Sequence, residues 1–227
     1  MTNNTIYYHN FGLIDYKVCW EKQKDFFLHA IETKVALGKT ENHLILCEHL
    51  HVYTLGKSGN NNNLLIKEEE LKEIQASFYH VDRGGDITYH GPGQIVGYLI
   101  FDLDSFALTI KKFVHSIEES IIHMLHRYTI YAGRKEKATG VWLSGLPERK
   151  ICAIGIKASR NISMHGFALN VNTDLSFFTK INPCGFTDKY VTSMQKELDK
   201  TEIPMEEARE ILLQSISVVF NAKLIPV

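Results

Sequence analysis

Between Arg83 and Gln94 the chain reads Arg83-Gly84-Gly85-Asp86-Ile87-Thr88-Tyr89-His90-Gly91-Pro92-Gly93-Gln94. Glycines at this density suit neither a helix nor an ordinary strand, because each costs backbone entropy and packs no side chain. They do allow a backbone to come close to a neighbour, and the neighbour expected here is a ligand. Far downstream, Cys184 stands in Asn182-Pro183-Cys184-Gly185-Phe186. A cysteine between Pro and Gly sits on bent, accessible backbone, where a thiol can react instead of filling space. The pair predicts an enzyme that holds an acyl chain against its backbone and carries it on sulfur.

The chain has 227 residues, 44% of them hydrophobic and 22% charged, enough for a full core. We expect a single catalytic domain over residues 1–227. The net charge of −1 provides no global field to recruit nucleic acid. No apolar run approaches the roughly 18 residues of a membrane span, and Met1-Thr2-Asn3-Asn4-Thr5 lacks the basic and apolar regions of a secretory signal. The four cysteines, Cys19, Cys47, Cys152 and Cys184, are scattered without a CxxC pair, which fits free thiols in a reducing cytoplasm.

Strands are expected at Ile6–Ile14, from Leu44 continuing toward Leu55, at Gln94–Leu103, Gly140–Leu143, Lys150–Ala158 and Ser163–Val171. Phe26, Phe27, Ala30, Ile31 and Val35 recur at helical spacing in a helix over Tyr16–Leu37 that Gly38 can end. A short acidic helix covers Lys67–Ala76. Ile110, Phe113, Val114, Ile117, Ile121, Met124 and Leu125 mark a long amphipathic helix. A last helix opens at Pro204, with Met205, Ala208, Ile211, Leu212, Ile216 and Val219 as its apolar side. Strand runs alternate irregularly with helices, so the class is α+β, a mixed sheet flanked by helices.

In Ser163–Asn172 a period of two puts His165, Phe167, Leu169 and Val171 on a core face, and Gly166 and Ala168 on a shallow one. The strand from Lys150 similarly has a small face at Ala153 and Gly155. Such faces either wall a slot for a linear chain or accept a tightly packed helix. Lys150 heads an apolar strand. A thiol of pKa about 8.5 is only about 3% thiolate at neutral pH. A cation about 4 Å away at an effective dielectric constant of about 20 is worth about 4 kcal/mol to the thiolate. Lys150 can therefore activate Cys184 if the fold brings them together. His90, expected in an irregular segment, can act as a base or as a donor to an acyl oxygen, and a Cys–His dyad with His90 or His165 is a further option. The HxH of Glu48-His49-Leu50-His51 lacks close cysteine partners, so no metal is expected.

These residues resemble the octanoyltransferases of protein lipoylation, the lipoyl(octanoyl) transferase family. Arg83–Gln94 is similar to nearly the whole family signature. Thr139-Gly140-Val141-Trp142, Lys150-Ile151-Cys152-Ala153-Ile154-Gly155, His165-Gly166-Phe167-Ala168-Leu169-Asn170-Val171-Asn172 and Ile181-Asn182-Pro183-Cys184-Gly185 follow in the family's order. The resemblance implies the catalytic-domain fold of biotin/lipoate protein ligases. It implies transfer of octanoyl from octanoyl-acyl carrier protein to a lysine of lipoyl domains, those of 2-oxoacid dehydrogenase complexes and the glycine cleavage H protein, as the first step of endogenous lipoate synthesis. Cys184 then matches the thioester nucleophile and Lys150 the residue that tunes it. Substrate contacts map to Arg83, Gly84, Gly85, Asp86, Ile87, Thr88, Tyr89 and His90, to Ala153, Ile154 and Gly155, and to Gly166, Phe167 and Ala168, with His165 auxiliary. No cofactor, nucleic acid or membrane is implied. An ATP-dependent ligase and a transferase between lipoyl domains are the rival activities, and a non-catalytic lipoyl-domain binding module is the rival of another class. Acidic partners would favour a cationic rim, with Arg134, Lys135, Lys137, Arg149 and Lys189 as candidates.

Overall fold

The computed structural model of the protein describes residues 4–182, 190–200 and 202–227. Strand β1 (Asn4–Ile14) leads into helix α1 (Tyr16–Leu37), followed by β2 (His43–His49) and β3 (Val52–Leu55). Helix α2 (Glu68–Glu73) precedes β4 (Ser77–His80), β5 (Ile87–His90) and β6 (Gln94–Ile100). After α3 (Ile110–Arg127) come β7 (Ala132–Lys135), β8 (Ala138–Leu143), β9 (Arg149–Ser159) and β10 (Ile162–Asn170). The chain closes with β11 (Tyr190–Val191), α4 (Met194–Glu197), α5 (Met205–Phe220) and β12 (Ala222–Pro226).

Among the described residues the strands form two sheets. The large mixed sheet has the order β12-β1-β2-β6-β10-β9-β8-β7, with β11 added in parallel to β9. The small sheet is β4-β3-β5. The fold is α+β, as expected. Both long helices begin and end where local chemistry directs. The Asp15 carboxylate accepts from the Val18 amide at the start of α1, and Gly38, at φ 72°, closes it by donating to the Lys34 carbonyl. Thr109 caps α3 in the same way.

Helices α3 and α5 cover one face of the large sheet, where Phe113, Ile117, Ile121, Met124 and Leu125 meet Leu212, Ile216 and Phe220 over Leu99, Phe167 and Leu169. Helix α1 covers the other face through Cys19, Phe27 and Ala30, against Ile45, Cys47, Val96 and Ala168. Its buried stripe is Tyr16, Cys19, Gln23, Phe27 and Ala30. Val35, expected on that stripe, is exposed. Polar Gln23 conceals the true register from a count of apolar residues. No helix among the described residues is long and apolar enough to cross a membrane.

Two further expectations change. The strand from Leu44 does not run on to Leu55: the chain turns at Leu50-His51 and passes from the large sheet to the small one. His90 lies not in an irregular segment but at the end of β5, paired with Val52. Strands β4, β5, β7, β11 and β12 have no counterpart among the expected strands, because each is short and draws its stability from pairing rather than from its own pattern. Truncation of the core residue Ile121 to Ala should lower unfolding free energy by about 2–5 kcal/mol, while Val35→Ala should stay within about 0.5 kcal/mol. Urea unfolding of the two variants checks this, and equal losses would place α1 and α3 wrongly.

Candidate active site

A cavity of about 320 Å³ opens between the two sheets. Its walls come from β6, β9 and β10 of the large sheet, β5 of the small sheet, and Tyr16 at the start of α1. Trp142 of β8 and Val191 of β11 extend the wall beside Lys150.

The glycine-rich loop lies across β9. The Gly84 amide donates to the Ile156 carbonyl at 3.1 Å, and Lys57 and Ser58 amides donate to the carbonyls of Arg83 and Gly85 at 3.0 and 3.2 Å. A Cβ on Gly155 would lie 2.8 Å from the Gly84 carbonyl oxygen, and one on Gly56 would lie 2.4 Å from that of Gly85. Gly85 itself has φ 87°. These glycines thus bring backbone against backbone, joining the two sheets at the cavity's edge. The guanidinium of Arg83 is spent in the same junction, on the Thr54 carbonyl and hydroxyl and on the Gly84 carbonyl.

Of the residues singled out from sequence, Arg83, Gly85, Asp86, Ile87, Thr88, His90, Lys150, Ala153, Ile154, Gly155, His165, Gly166, Phe167 and Ala168 line the cavity. Gly84 and Tyr89 do not. Gly84 faces β9, and Tyr89 points to the opposite side of β5, where its hydroxyl meets His51 Nδ1 at 2.7 Å and its ring stacks on Phe177. His165 was expected on the core face beside Phe167. Its φ of 65° breaks the alternation of β10, and its ring turns to Asp82, Nε2 to Oδ1 at 2.8 Å. Cys184 lies outside the described residues, as does Lys189.

The hydrogen bonds fix the state of His90. Asn170 Nδ2 donates to the Thr192 carbonyl, so Asn170 Oδ1 accepts from Gln94 Nε2, which also reaches the Tyr89 carbonyl. Gln94 Oε1 then faces His90 Nδ1 at 2.8 Å, and that nitrogen must carry the proton. Burial, with His49 nearby, lowers the His90 pKa to about 3, so the ring is neutral at pH 7. Its Nε2 accepts and does not donate, which leaves the base option and removes the acyl-oxygen donor. His165 is likewise held neutral by burial and donates a hydrogen bond from Nε2 to Asp82. The hydrogen bond from His165, with a second from Lys157, holds the Asp82 carboxyl well below the usual range.

Lys150 is the second residue of β9, pairing with Trp142 on one side and Val191 on the other. Its Nζ is 4.6 Å from the centre of a Trp142 ring. Gly140, at φ 123°, makes room for this corner: a Cβ there would meet the Cys152 carbonyl at 2.5 Å and the Lys150 stem at 3.4 Å.

Residues 15–217 match the model of the family described as lipoyl protein ligase A/B catalytic domain. The octanoyltransferase of Bacteroides thetaiotaomicron is 50% identical over 216 residues, covering 94% of this chain and 95% of its own. That of Cytophaga hutchinsonii is 49% identical, covering 97% of this chain and 94% of its own. The chain belongs to this family. Within it, the chain is a member of the octanoyltransferases, which makes it an enzyme and an acyltransferase. The fold is shared with a bipartite lipoate protein ligase from Thermoplasma acidophilum, with a TM-score of 0.73 at 14% identity over 99% of this chain and 88% of the other. A lipoate-protein ligase A bound with ATP gives a TM-score of 0.71 at 12% identity, over 100% and 90%.

Sequence reasoning missed several members of the cavity. Gln94, Trp142 and Asn170 stood in recognised motifs without an assigned part, whereas Tyr16, Val96, Tyr98 and Phe178 carry no local signal and arrive only through packing. Of the candidates for a cationic rim, Arg134 pairs with Glu118 and Glu119, Lys135 with Glu148, and Arg149 with Glu197, while Lys137 is exposed beside Glu136 and lines the cavity. Only weak salt dependence of partner binding is expected from the three well-paired groups.

The neutral histidines have a consequence for stability. His49 is also lowered, to about 4, by burial. Once unfolded, His49 and His90 titrate near about 6.5 and take up protons that the fold excludes. Stability should thus fall as pH drops below about 6.5, before the contribution of Asp82 is lost at lower pH. Urea midpoints measured from pH 7 to 5 should decline steadily, and a flat profile would contradict the neutral assignment.

Proposed function

We propose that this enzyme moves an octanoyl group from octanoyl-acyl carrier protein to a lysine amine of a lipoyl domain through a thioester on Cys184. The observation that carries the reading is the largely apolar cavity with Lys150 in its wall, in a chain about half identical to octanoyltransferases. Its size is in the range of small-ligand sites. Ile87, Val96, Ile154 and Phe167 offer an apolar wall for a fatty chain. In sequence, Cys184 falls between two anchored points. The Asn182 amide donates to the Asn63 carbonyl, and the Asn63 side chain donates to Asp86 of the cavity. Val191 pairs with Lys150 itself.

In the first half-reaction the Cys184 thiolate forms a bond to the thioester carbonyl carbon. The carrier's thiolate leaves and takes a proton from the Lys150 ammonium. Acylation removes the sulfur's charge, so Lys150, now neutral and partly desolvated, is a base for the incoming amine. The amine attacks, the Cys184 thiolate leaves, and the amine proton returns to Lys150. A thioester becomes an amide, so no ATP is consumed. The lipoyl domain as acceptor follows the solved archaeal ligase, described together with its E2 lipoyl domain.

Incubation with octanoyl-carrier protein, followed by intact-mass and peptide analysis, should show one octanoyl adduct on Cys184 that a lipoyl domain discharges. Cys184→Ser should abolish transfer by at least about a thousandfold, the cost of losing a nucleophile. Full activity of that variant with ATP and free octanoate would overturn the reading in favour of a ligase, and charging only from octanoylated lipoyl domains would change the donor.

A further inference from the structure

Beside the acyl cavity, on the side covered by α1, the fold assembles a dry group of soft ligand atoms. Cys19 of α1 and Cys47 and His49 of β2 are each at most 1% exposed, and their side-chain Sγ and Nε2 atoms all lie within 4.8 Å of one another. The HxH run judged to lack cysteine partners therefore has two. Alternation along β2 puts Cys47 and His49 on one face, and the α1 register brings Cys19 over them.

We propose that Cys19, Cys47 and His49 bind a single zinc ion, which fastens α1 to β2. This goes beyond the acyl-transfer reading and does not depend on it. Zinc bonds of about 2.3 Å to sulfur and about 2.0–2.1 Å to imidazole nitrogen, at tetrahedral angles, set S···S near about 3.8 Å and S···N near about 3.5 Å. The separations here are 4.0 Å for Cys19 Sγ to Cys47 Sγ and 3.5 Å for Cys47 Sγ to His49 Nε2. His49 is oriented as a ligand. Its Nδ1 lies 2.8 Å from the Ile14 carbonyl, so Nδ1 carries the proton and the Nε2 lone pair points into the group. That lone pair now accepts from the Tyr98 hydroxyl at 2.7 Å, a bond that the ion would replace.

A second observation points the same way. Gln23 is fully buried, its Nε2 donates to Cys19 Sγ at 3.9 Å, and its Oε1 has no hydrogen-bond partner among the described residues. A buried amide oxygen without a partner is costly unless something positive or protic reaches it. The Gln23 amide lies against Cys19, and exchanging the places of its nitrogen and oxygen would let the oxygen supply the fourth position. Binding releases both thiol protons to water, and two thiolates balance one dication, so the buried site carries no net charge. Thiolate and imidazole together select zinc over the hard cations. Tyr98 borders both this group and the cavity, so a filled site would also stiffen the cavity wall.

The test is dialysis of the full chain against buffered zinc, with elemental analysis of the bound metal, and then substitution with Co²⁺. Wild type should retain about one ion per chain, and the cobalt form should show tetrahedral bands with thiolate charge transfer. Both should survive in Cys184→Ser and Cys152→Ser and disappear in Cys19→Ser and Cys47→Ser. Should the last two variants unfold, a cobalt spectrum of wild type showing two thiolate ligands still supports the site. The proposal is overturned if wild type retains no ion, if binding is lost in Cys184→Ser instead, or if Cys19 and Cys47 are found as a disulfide without metal.

Discussion

The backbone from Arg83 to Gly85 runs over strand β9 and beside the Gly56 turn at hydrogen-bonding distance, with Gly155 and Gly56 leaving room for the carbonyls of Gly84 and Gly85. The cavity depends on this junction. It fixes the small sheet against the large one, so that His90 from one and Lys150, Ala153 and Phe167 from the other face a common space. The carbonyls of Arg83 and Gly85 and the amide of Gly84 are hydrogen-bonded in forming it, and Arg83 braces it from within by bonding Thr54 and Gly84. A methyl group at Gly155 would push against a carbonyl rather than a movable side chain, so the contact cannot relax cheaply.

The electrostatics of the cavity follow from the burial of its histidines. His90 and His165 are neutral and directed by Gln94 and Asp82, and neither contributes a positive charge. Cys152, next in the core beyond Lys150, is pushed far up by burial and serves as packing. Lys150 lines the cavity over the Trp142 ring, held by pairing on both sides of β9. A cation placed on a rigid strand and against an aromatic face can act on a thiol without first paying for its own ordering.

The sequence made the long elements and the membership of the cavity legible, because both are written in local chemistry. Asp15, Gly38 and Thr109 mark helix ends, and the glycine stretch, Lys150–Gly155 and His165–Ala168 contribute most of the residues found on the walls. The glycines also seat a loop on a strand, a contact between distant segments that the local sequence does not announce. The side of β10 on which His165 falls was misread because a single residue at positive φ shifts the alternation. The passage from β2 to β3 was hidden because two adjacent apolar stretches look alike whether they share a sheet or not. Contacts between distant segments, such as Cys19 with Cys47 and His49, are set by packing that no local pattern reports.

The central claim is that Lys150, fixed at the edge of this cavity, controls the protonation of Cys184. The most direct test is the rate of alkylation of Cys184, followed peptide by peptide as a function of pH, in wild type and in Lys150→Met. The account predicts that the midpoint of the wild-type profile lies below that of an ordinary thiol and moves to higher pH when the amine is removed. Superimposable profiles would contradict it.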